Sequence, residues 1–283
     1  MRKWMLLMMM CSLLLLGSAL AEEPSYELPL DIDFANYPAD PAGFTENAYH
    51  DESLDVRLET GELRGVDYYV AYFQVKSPTQ LRTAVAGRPN ESVAALPSQM
   101  GKAKNAVLIL NGEYYIQRTK DIFIYRQGKM FRDQPDPVKD VLIIDDVGDF
   151  HIYTSKDKAS EIQAFQDEGG VIVNAFSFGP ALMIDGERIP YREDYYFYPY
   201  ERTGRSAVGQ VGPLSYAFIY CPQATQKEIG DIAEALSLQQ AYNLDGGNSS
   251  VMIFDGKYVG GKKRNTEREQ SDILYVVSAV APD

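Results

Sequence analysis

The chain has 283 residues, of which 45% are hydrophobic and 12% aromatic, so it is long enough to bury the core of one large domain or two small ones. Its formal charge of −13 at pH 7 argues against binding to nucleic acid or to anionic membranes through the overall field. With only two cysteines, Cys11 and Cys221, it is not a disulfide scaffold.

Residues 1–21 have the order of a secretory signal peptide. Arg2 and Lys3 precede an apolar run over residues 4–16, and Ala19 and Ala21 mark a cleavage site. The run is shorter than the roughly 20 residues that a membrane-spanning helix needs, which favours cleavage over anchoring. We therefore predict a secreted or cell-envelope protein that is not stably inserted in the membrane. After cleavage a single cysteine remains, so no disulfide forms within the chain.

Residues 22–64 are predicted to form an extended N-terminal segment, because residues 22–60 are rich in Pro, Asp and Glu and show little periodicity. The main domain is predicted over residues 65–283. It opens with an aromatic and β-branched strand over residues 67–75, which residues 81–86 continue. Residues 91–103 are predicted to be a helix interrupted near Pro97.

Three apolar runs each end in a short polar side chain and a small residue. Residues 106–110 precede Asn111, residues 171–173 precede Asn174, and residues 241–244 precede Asp245 and Gly246. Where crossovers connect neighbouring strands, ligands bind beyond the carboxyl ends of the strands. The sequence therefore predicts that these three polar strand ends converge. The alternative is local turn capping by Asn and Asp.

The intervening segments predict an α+β domain in which helices cover a mixed, twisted β-sheet. A strand is predicted over residues 141–144, a helix over residues 157–168, and a last strand over residues 273–280. A capping box at Thr225 and Glu228 begins a helix that leads to the strand before Asp245. This strand-helix-strand unit is right-handed if its strands are parallel neighbours. Two-residue turns predict hairpins at 185–186, 212–213 and 255–256.

Four short motifs follow one another along residues 65–280. They are Asn111-Gly112-Glu113-Tyr114-Tyr115, residues 175–182 with the turn at 185–186, Arg205-Ser206-Ala207-Val208-Gly209-Gln210, and Asn243-Leu244-Asp245-Gly246-Gly247-Asn248-Ser249-Ser250. Together they resemble the signatures of the phosphodiester glycosidase family. The resemblance implies a hydrolase that cleaves the glycosidic bond of a sugar-1-phosphodiester of the N-acetylglucosamine type.

The chain departs from the family pattern at two positions. Glu113 stands where the family usually has Gly, and Asn248 where it often has Gly; Ser206 in place of Thr is a milder change. Glu113 is either part of a rearranged pocket wall or an added carboxylate.

The implied chemistry assigns roles to one cation and one carboxylate. Phosphate is a good leaving group, so the main need is to neutralise its charge, and the planar fork of Arg205 suits that geometry. Asp245 is the candidate that stabilises the oxocarbenium-like transition state, as a nucleophile or as the base for a water. The alternatives are a surface arginine and a turn-capping aspartate. Asn111 and Asn174 either bind sugar hydroxyls or hold Asp245. The remaining predicted substrate-binding residues are Gly112, Glu113, Ser177, Ser206, Gln210, Gly246, Gly247, Asn248 and Ser249.

Two further segments have open interpretations. The run at 191–200 contains five tyrosines, which either present flat faces to sugar rings or pack as a flap. The cationic residues 262–264 either attract an anionic polymer or form a solvated hairpin end. His50 and His151 are far apart in the sequence and make a poor zinc site. No loop has the spacing of a known calcium site, although Asp and Asn are suitable ligands, so no cofactor is predicted.

The expected partner is therefore a carbohydrate phosphodiester, in an envelope or extracellular polysaccharide. The alternative function is a non-catalytic protein on the same fold that binds a carbohydrate or a cell-wall polymer; Glu113 favours it, and the presence of Asn111, Arg205 and Asp245 opposes it.

Overall fold

The structure is a computed structural model that describes residues 37–87, 93–113, 122–192, 199–261 and 267–281. The predicted signal peptide, residues 22–36 of the predicted N-terminal segment, the middle of the tyrosine-rich run and the cationic residues 262–264 lie outside this part of the chain.

Strands dominate the described residues, with three helices between them. In chain order the elements are β1 Ala48–His50, β2 Leu54–Leu63, β3 Val66–Val75, β4 Leu81–Val85, α1 Pro97–Ala103, β5 Leu108–Asn111, β6 Phe123–Arg126, β7 Lys129–Asp133, β8 Val141–Asp145, β9 Phe150–Tyr153, α2 Lys158–Asp167, β10 Ile172–Phe176, β11 Ala181–Ile184, β12 Glu187–Arg188, β13 Thr203–Gly212, β14 Ser215–Ala224, α3 Gln226–Ala235, β15 Gln240–Asn243, β16 Met252–Phe254, β17 Lys257–Tyr258 and β18 Asp272–Val276.

The strands form three sheets. The largest has the order β1-β2-β3-β14-β13-β15-β11-β12, and the two five-stranded sheets have the orders β7-β6-β10-β8-β9 and β17-β16-β5-β18-β4. Every strand pairing in the described residues is antiparallel. The α+β class is therefore observed as a sheet-rich domain, but the prediction of one mixed sheet is wrong.

The strand-helix-strand unit before Asp245 has the predicted elements but not parallel neighbours. β14 and β15 lie on opposite sides of β13 and both pair with it antiparallel, so they run parallel to each other but are not hydrogen-bonded neighbours. The capping box is confirmed: the Thr225 side chain accepts from the Glu228 N–H, and the Glu228 side chain accepts from the Thr225 N–H. The helix buries Ile229, Ile232 and Ala233 against the large sheet.

Local turn chemistry explains the hairpins. The turn between β11 and β12 has positive φ at Asp185 and Gly186, and that between β16 and β17 has positive φ at Asp255 and Gly256, as a two-residue turn between antiparallel strands requires. The β13–β14 hairpin around residues 212–213 is also confirmed. In α1, Pro97 is the first helical residue and does not interrupt the helix, because that position needs no N–H donor.

The prediction of an extended segment over residues 22–60 missed β1 and β2. Both strands belong to the largest sheet, and β2 pairs along its whole length with β3. The charged residues of β2 alternate with Leu54 and Val56, which are buried in the core. The Asp51 carboxylate fastens this end of the sheet to the C-terminal part of the chain, because it accepts from the Ser53 N–H and from the Ser278 hydroxyl.

One core lies between the three sheets. It brings together buried side chains from all of them, such as Phe218 and Tyr242 from the large sheet, Leu142 from β8, and Leu110 and Leu274 from β5 and β18. The core therefore holds β5 and β15 in one rigid frame, and the end of β5 and the loop after β15 meet. No helix among the described residues has the length and apolar character to cross a bilayer.

Candidate active site

The turn after β15 presents the candidate carboxylate. Asp245 follows Leu244, whose N–H donates to the Ser206 carbonyl on β13 (2.9 Å), so the sheet ladder continues to the start of the turn. The Asp245 carboxylate accepts from the Gly246 N–H (2.8 Å), and residues 247–249 form a single 3₁₀ turn. Asp245 is half-buried, whereas Asn248 at the tip of the turn is exposed. The turn thus caps itself locally and still leaves the carboxylate residue accessible to solvent.

The polar end of β5 holds this turn in place. The Asn111 amide donates to the Asp245 carbonyl (2.9 Å) and to the Gly112 carbonyl (3.1 Å), and its oxygen accepts from the Val251 N–H (3.0 Å). The Asp245 N–H in turn donates to the Gly112 carbonyl (3.3 Å). Asn111 is fully buried. Of its two predicted roles, these contacts match the one in which Asn111 holds Asp245.

Arg205 lies on β13 beside the same turn. Its side chain is buried, with Nε donating to the Ala224 carbonyl and Nη2 to the Glu201 carbonyl, both at 3.2 Å. Burial lowers the pKa of the guanidinium, and the neighbouring Glu201 and Asp245 carboxylates oppose that shift. Nη1 lies 3.5 Å from the point where a Cβ on Gly246 would stand. The predicted cation and the predicted carboxylate therefore belong to one site, which we call the Arg205–Asp245 site.

Glycines allow this close approach. A Cβ on Gly204 would lie 2.5 Å from the Gly247 carbonyl oxygen and 3.0 Å from the Ser250 Cβ. A Cβ on Gly246 would lie 3.0 Å from the Gly204 carbonyl oxygen. Gly247 has a φ of 64°, which residues with a Cβ rarely adopt. Two backbones thus pack against each other directly and bring the guanidinium to the turn.

Three buried polar atoms around the turn make no hydrogen bond within the described part of the chain. They are the hydroxyl oxygens of Ser206 and Ser249 and the side-chain oxygen of Asn243. Buried polar groups are normally paired, and each unpaired one raises the question of what pairs with it. A polar ligand or an ordered water would satisfy such atoms.

Glu113, the departure from the family pattern, lies in a buried ion cluster with Arg126 and Asp272. Its carboxylate is 2.7 Å from Arg126 Nη2, which is also 2.6 Å from the Asp272 carboxylate. The side chains of all three residues are at most 2% exposed. Ser177 joins the cluster, because its N–H donates to Glu113 (2.8 Å) while its hydroxyl donates to the Phe123 carbonyl (2.6 Å).

Asn174 and Gln210 have their side chains bonded elsewhere in the fold. Asn174 lies inside β10 and does not end it, so the predicted strand boundary is wrong; its oxygen accepts from the Thr83 hydroxyl and from the Gln127 N–H. Gln210 binds the β8–β9 hairpin through the Phe150 N–H and the Asp149 carboxylate. Because Gln210 is five residues along β13 from Arg205, roughly 16 Å separates their backbones.

The two ends of the tyrosine-rich run lie near Arg205. Tyr191 and Tyr200 contact each other in a T-shaped arrangement with ring centroids 5.8 Å apart. Tyr200 is 67% exposed, and the next residue, Glu201, accepts the hydrogen bond from Arg205 Nη2. Arg192 pairs with the Asp140 carboxylate (2.9 Å). Burial raises the pKa of this carboxylate, although the Ala181 N–H and Arg192 counteract the shift. Tyr200, with its exposed ring, thus directly precedes the residue whose carbonyl holds Arg205.

The histidines lie outside this constellation. His50 pairs with Asp55 on the exposed β1–β2 edge, and His151 pairs with Asp145 and packs against the Phe165 ring. Within the ranges that the structure describes, no group of three or more His, Cys, Asp or Glu side chains is arranged to hold a metal ion.

Sequence reasoning missed Arg126 and Asp272, which complete the ion cluster. Arg126 ends β6, a strand that was not predicted, and Asp272 begins β18 just before the predicted last strand. The unusual Glu113 was the one available signal, because a carboxylate next to a buried strand end requires a buried cation.

Comparison with known proteins agrees with the motifs. The sequence profile of the phosphodiester glycosidase family matches residues 104–277, which is more than half of the chain. Among curated proteins, none matches the sequence. The fold is similar to the zebrafish N-acetylglucosamine-1-phosphodiester alpha-N-acetylglucosaminidase catalytic domain auto-inhibited by its pro-peptide (TM-score 0.63, 17% identity, 82% of this chain and 86% of that one). It is also similar to a hypothetical protein from Synechocystis (TM-score 0.64, 13% identity, 80% of this chain and 62% of that one).

Proposed function

Because the chain belongs to the phosphodiester glycosidase family, we propose that it hydrolyses the bond between the anomeric carbon of a sugar and the phosphate of a sugar-1-phosphodiester. The substrate type is an N-acetylglucosamine-1-phosphate diester. The observation that carries the proposal is the meeting of Arg205 and Asp245, from β13 and from the turn after β15, at one site. An isolated surface arginine and a solitary capping aspartate would have no reason to be packed together through glycines.

In the proposed reaction, water supplies the oxygen that replaces phosphate on the anomeric carbon. The carbon–oxygen bond to phosphate breaks, and its electron pair leaves with the phosphate oxygen. One proton of the water remains on the sugar hydroxyl and the other passes to the phosphomonoester or to solvent. Negative charge therefore develops on the phosphate and positive charge on the sugar ring.

Arg205 matches the first of these charges and Asp245 the second. A guanidinium that is already held by the Ala224 and Glu201 carbonyls loses little side-chain freedom when it binds phosphate. A carboxylate held by its own turn is likewise fixed before the substrate arrives. Asp245 acts either as the nucleophile or as the base for the water.

The neighbouring polar groups supply recognition. The hydroxyls of Ser206 and Ser249 are buried beside the turn and are assigned to phosphate or sugar oxygens. Asn248 is assigned to the open side of the site, where it is exposed. The exposed face of Tyr200 is assigned to a sugar ring, because aromatic rings pack well on the apolar faces of sugars while their hydroxyls remain hydrated.

The proposed setting is outside the cytoplasm. The order of charged, apolar and small residues over positions 1–21 supports export through a signal peptide. The natural substrate is then a phosphodiester-linked polysaccharide of the envelope or of the extracellular medium.

The test is sugar release from an alkyl ester of α-N-acetylglucosamine-1-phosphate by the purified mature chain. We expect turnover by the wild type and a fall in kcat of about 10³-fold or more for Asp245→Asn, which keeps the shape and removes the charge. Asp255→Asn is the matched control, because Asp255 begins an Asp-Gly turn on an exposed hairpin. Equal binding of the ester by wild type and Asp245→Asn, without turnover in either, would refute the hydrolase and favour a carbohydrate-binding protein.

A further inference from the structure

The buried ion cluster of Glu113, Arg126 and Asp272 is completely paired. Arg126 uses every guanidinium N–H: Nε donates to Asp272, Nη2 to Asp272 and Glu113, and Nη1 to the Tyr125 and Ala175 carbonyls. The guanidinium also lies 4.1 Å from the centre of the Phe176 ring. Burial alone would lower the pKa of Arg126, but the Asp272 and Glu113 carboxylates outweigh it and hold the pKa above its usual value.

The carboxylate oxygens are paired as well. Glu113 accepts from Arg126 on one oxygen and from the Ser177 N–H on the other. Asp272 accepts from Arg126 on one oxygen, and from the Glu113 N–H (3.2 Å) and the Ser271 hydroxyl (3.2 Å) on the other. A cluster whose donors and acceptors are all used within the protein is poorly suited to bind a ligand. Its chemical capacity is to fix the positions of the chain segments that carry it.

Those segments include the one that holds Asp245. The Gly112 N–H donates to the Asp272 carbonyl (3.1 Å), and a Cβ on Gly112 would lie 2.3 Å from the Asp272 carboxylate carbon. The Asp272 carboxylate therefore packs directly on the Gly112 backbone. The Gly112 carbonyl then accepts from the Asp245 N–H and from the Asn111 amide. Gly112 is thus the single residue that connects the cluster to Asp245.

We propose that Glu113, Arg126 and Asp272 are positioning residues that act through the Gly112 carbonyl to set the location of Asp245 for hydrolysis. This inference rests on the proposed function of the Arg205–Asp245 site. It also explains the carboxylate at position 113. Glu113 follows β5 and binds Arg126 on β6 and the Ser177 N–H just after β10. β6 and β10 belong to one five-stranded sheet and β5 to the other. The cluster thereby ties the two five-stranded sheets together beside the site.

The test uses Glu113→Gln, which retains the volume and removes one charge. The amide oxygen of Gln can accept from Arg126 or from the Ser177 N–H, but the amide nitrogen then faces the other donor. One of the two contacts is therefore lost in either orientation. Arg126→Lys is the second variant, because it keeps the charge and removes the fork. Gln80→Leu is the control. Gln80 is fully buried and its amide donates to the Ser53 and Val277 carbonyls, just beyond the end of β18 that is opposite Asp272.

Two measurements are made on each folded variant, well below its unfolding temperature. Amide hydrogen exchange over residues 244–247 reports whether the Asp245 N–H still bonds to Gly112. Steady-state kinetics on the N-acetylglucosamine-1-phosphate ester separate kcat from KM. For Glu113→Gln and Arg126→Lys we expect exchange at least tenfold faster over residues 244–247, and kcat lower by about 10- to 100-fold with KM within about threefold. Gln80→Leu should change neither quantity beyond its general loss of stability.

Unchanged exchange over residues 244–247 in both cluster variants overturns the proposal. So does an equal increase in Gln80→Leu, or unchanged kcat in cluster variants whose exchange has risen. If the wild type itself releases no sugar, the proposed function fails, and the exchange measurement still decides whether the cluster positions Asp245.

Discussion

Gly204→Ala is the sharpest test of how the Arg205–Asp245 site is built. Gly204 precedes Arg205 on β13 and packs against the turn that follows Asp245. The added Cβ would lie 2.5 Å from the Gly247 carbonyl oxygen and 3.0 Å from the Ser250 Cβ. Neither neighbour is the free end of a flexible side chain, so the backbone of the turn or of β13 has to move.

The size of the movement sets the expected effect. Non-bonded heavy atoms attract optimally at about 3.5 Å or more, so the Gly247 carbonyl has to retreat by about 1 Å. A displacement of about 1 Å between catalytic groups lowers the rate by about 100-fold. Overpacking of this kind destabilises a fold by about 1 to 3 kcal/mol, which for a domain of this size corresponds to a fall in Tm of about 2 to 12 °C.

The assay compares kcat on the N-acetylglucosamine-1-phosphate ester with the thermal unfolding curve of the same sample. Gly212→Ala is the matched control, because Gly212 lies at the far end of the same strand and a Cβ there would meet nothing within 4 Å. We expect Gly212→Ala to retain wild-type kcat and nearly wild-type Tm. If Gly204→Ala also retains wild-type kcat while it is folded, the close approach of the two backbones does not set the site.

Three further outcomes are expected. Arg205→Lys should lower kcat by about 10- to 100-fold, because the charge remains while the planar fork that fits phosphate is lost; full activity would exclude a bidentate clamp. Tyr200→Ala should raise KM several-fold with little change in Tm, whereas Tyr200→Phe should behave like the wild type; equal KM values in all three would remove the ring from the site. Burial raises the pKa of the Cys221 thiol to about 12, so the thiol stays protonated in the native state at pH values at which an unfolded cysteine has lost its proton. The unfolding free energy should therefore fall as pH rises from about 8.5 towards 12, and a thiol reagent at pH 8 should label Cys221 only in urea; labelling of the native chain would contradict this burial.

Sequence reasoning succeeded where structure is decided by nearby residues. The turns at 185–186 and 255–256 were predictable because Asp-Gly accepts the positive φ that a tight hairpin needs. The helix after Thr225 was predictable because its capping box is complete within four residues. The strand over residues 67–75 was predictable from its aromatic and β-branched composition.

It failed where partners far apart in the chain decide the structure. β2 was assigned to an extended segment because its many charged residues mask the apolar pattern of Leu54 and Val56. This segment forms a strand by pairing with β3. The mixed sheet was inferred from the strands, helices and hairpins predicted between the polar strand ends, whereas the order β14-β13-β15 places an antiparallel strand inside the supposed crossover. β6, β7 and β9 were not predicted at all.

The same contrast between local and distant determinants applies to the candidate site. Arg205 and Asp245 were identified from their motifs, and the structure brings both to the turn after β15. Asn174 was grouped with them because it resembled a polar strand end, but a residue inside β10 bonds to whichever chain lies beside it, here Thr83 and Gln127. Short motifs therefore identified the candidate groups, and they did not reveal which similar side chains hold the frame.

The frame also explains why glycines recur next to the candidate groups. Gly112 lies under the Asp272 carboxylate, Gly204 lies against the Gly247 carbonyl, and Gly246 lies beside the Arg205 guanidinium. A Cβ on Gly112 or Gly204 would lie 2.3 or 2.5 Å from its nearest neighbour, and a Cβ on Gly246 would lie 3.0 Å from the Gly204 carbonyl oxygen, all closer than ordinary van der Waals contact. The backbones that carry the buried guanidinium and the half-buried aspartate pack directly on each other, because no Cβ stands between them at Gly204 and Gly246. The site is thus specified as much by the absence of side chains at three positions as by the presence of Arg205 and Asp245, and substitution of these glycines should impair catalysis before it impairs folding.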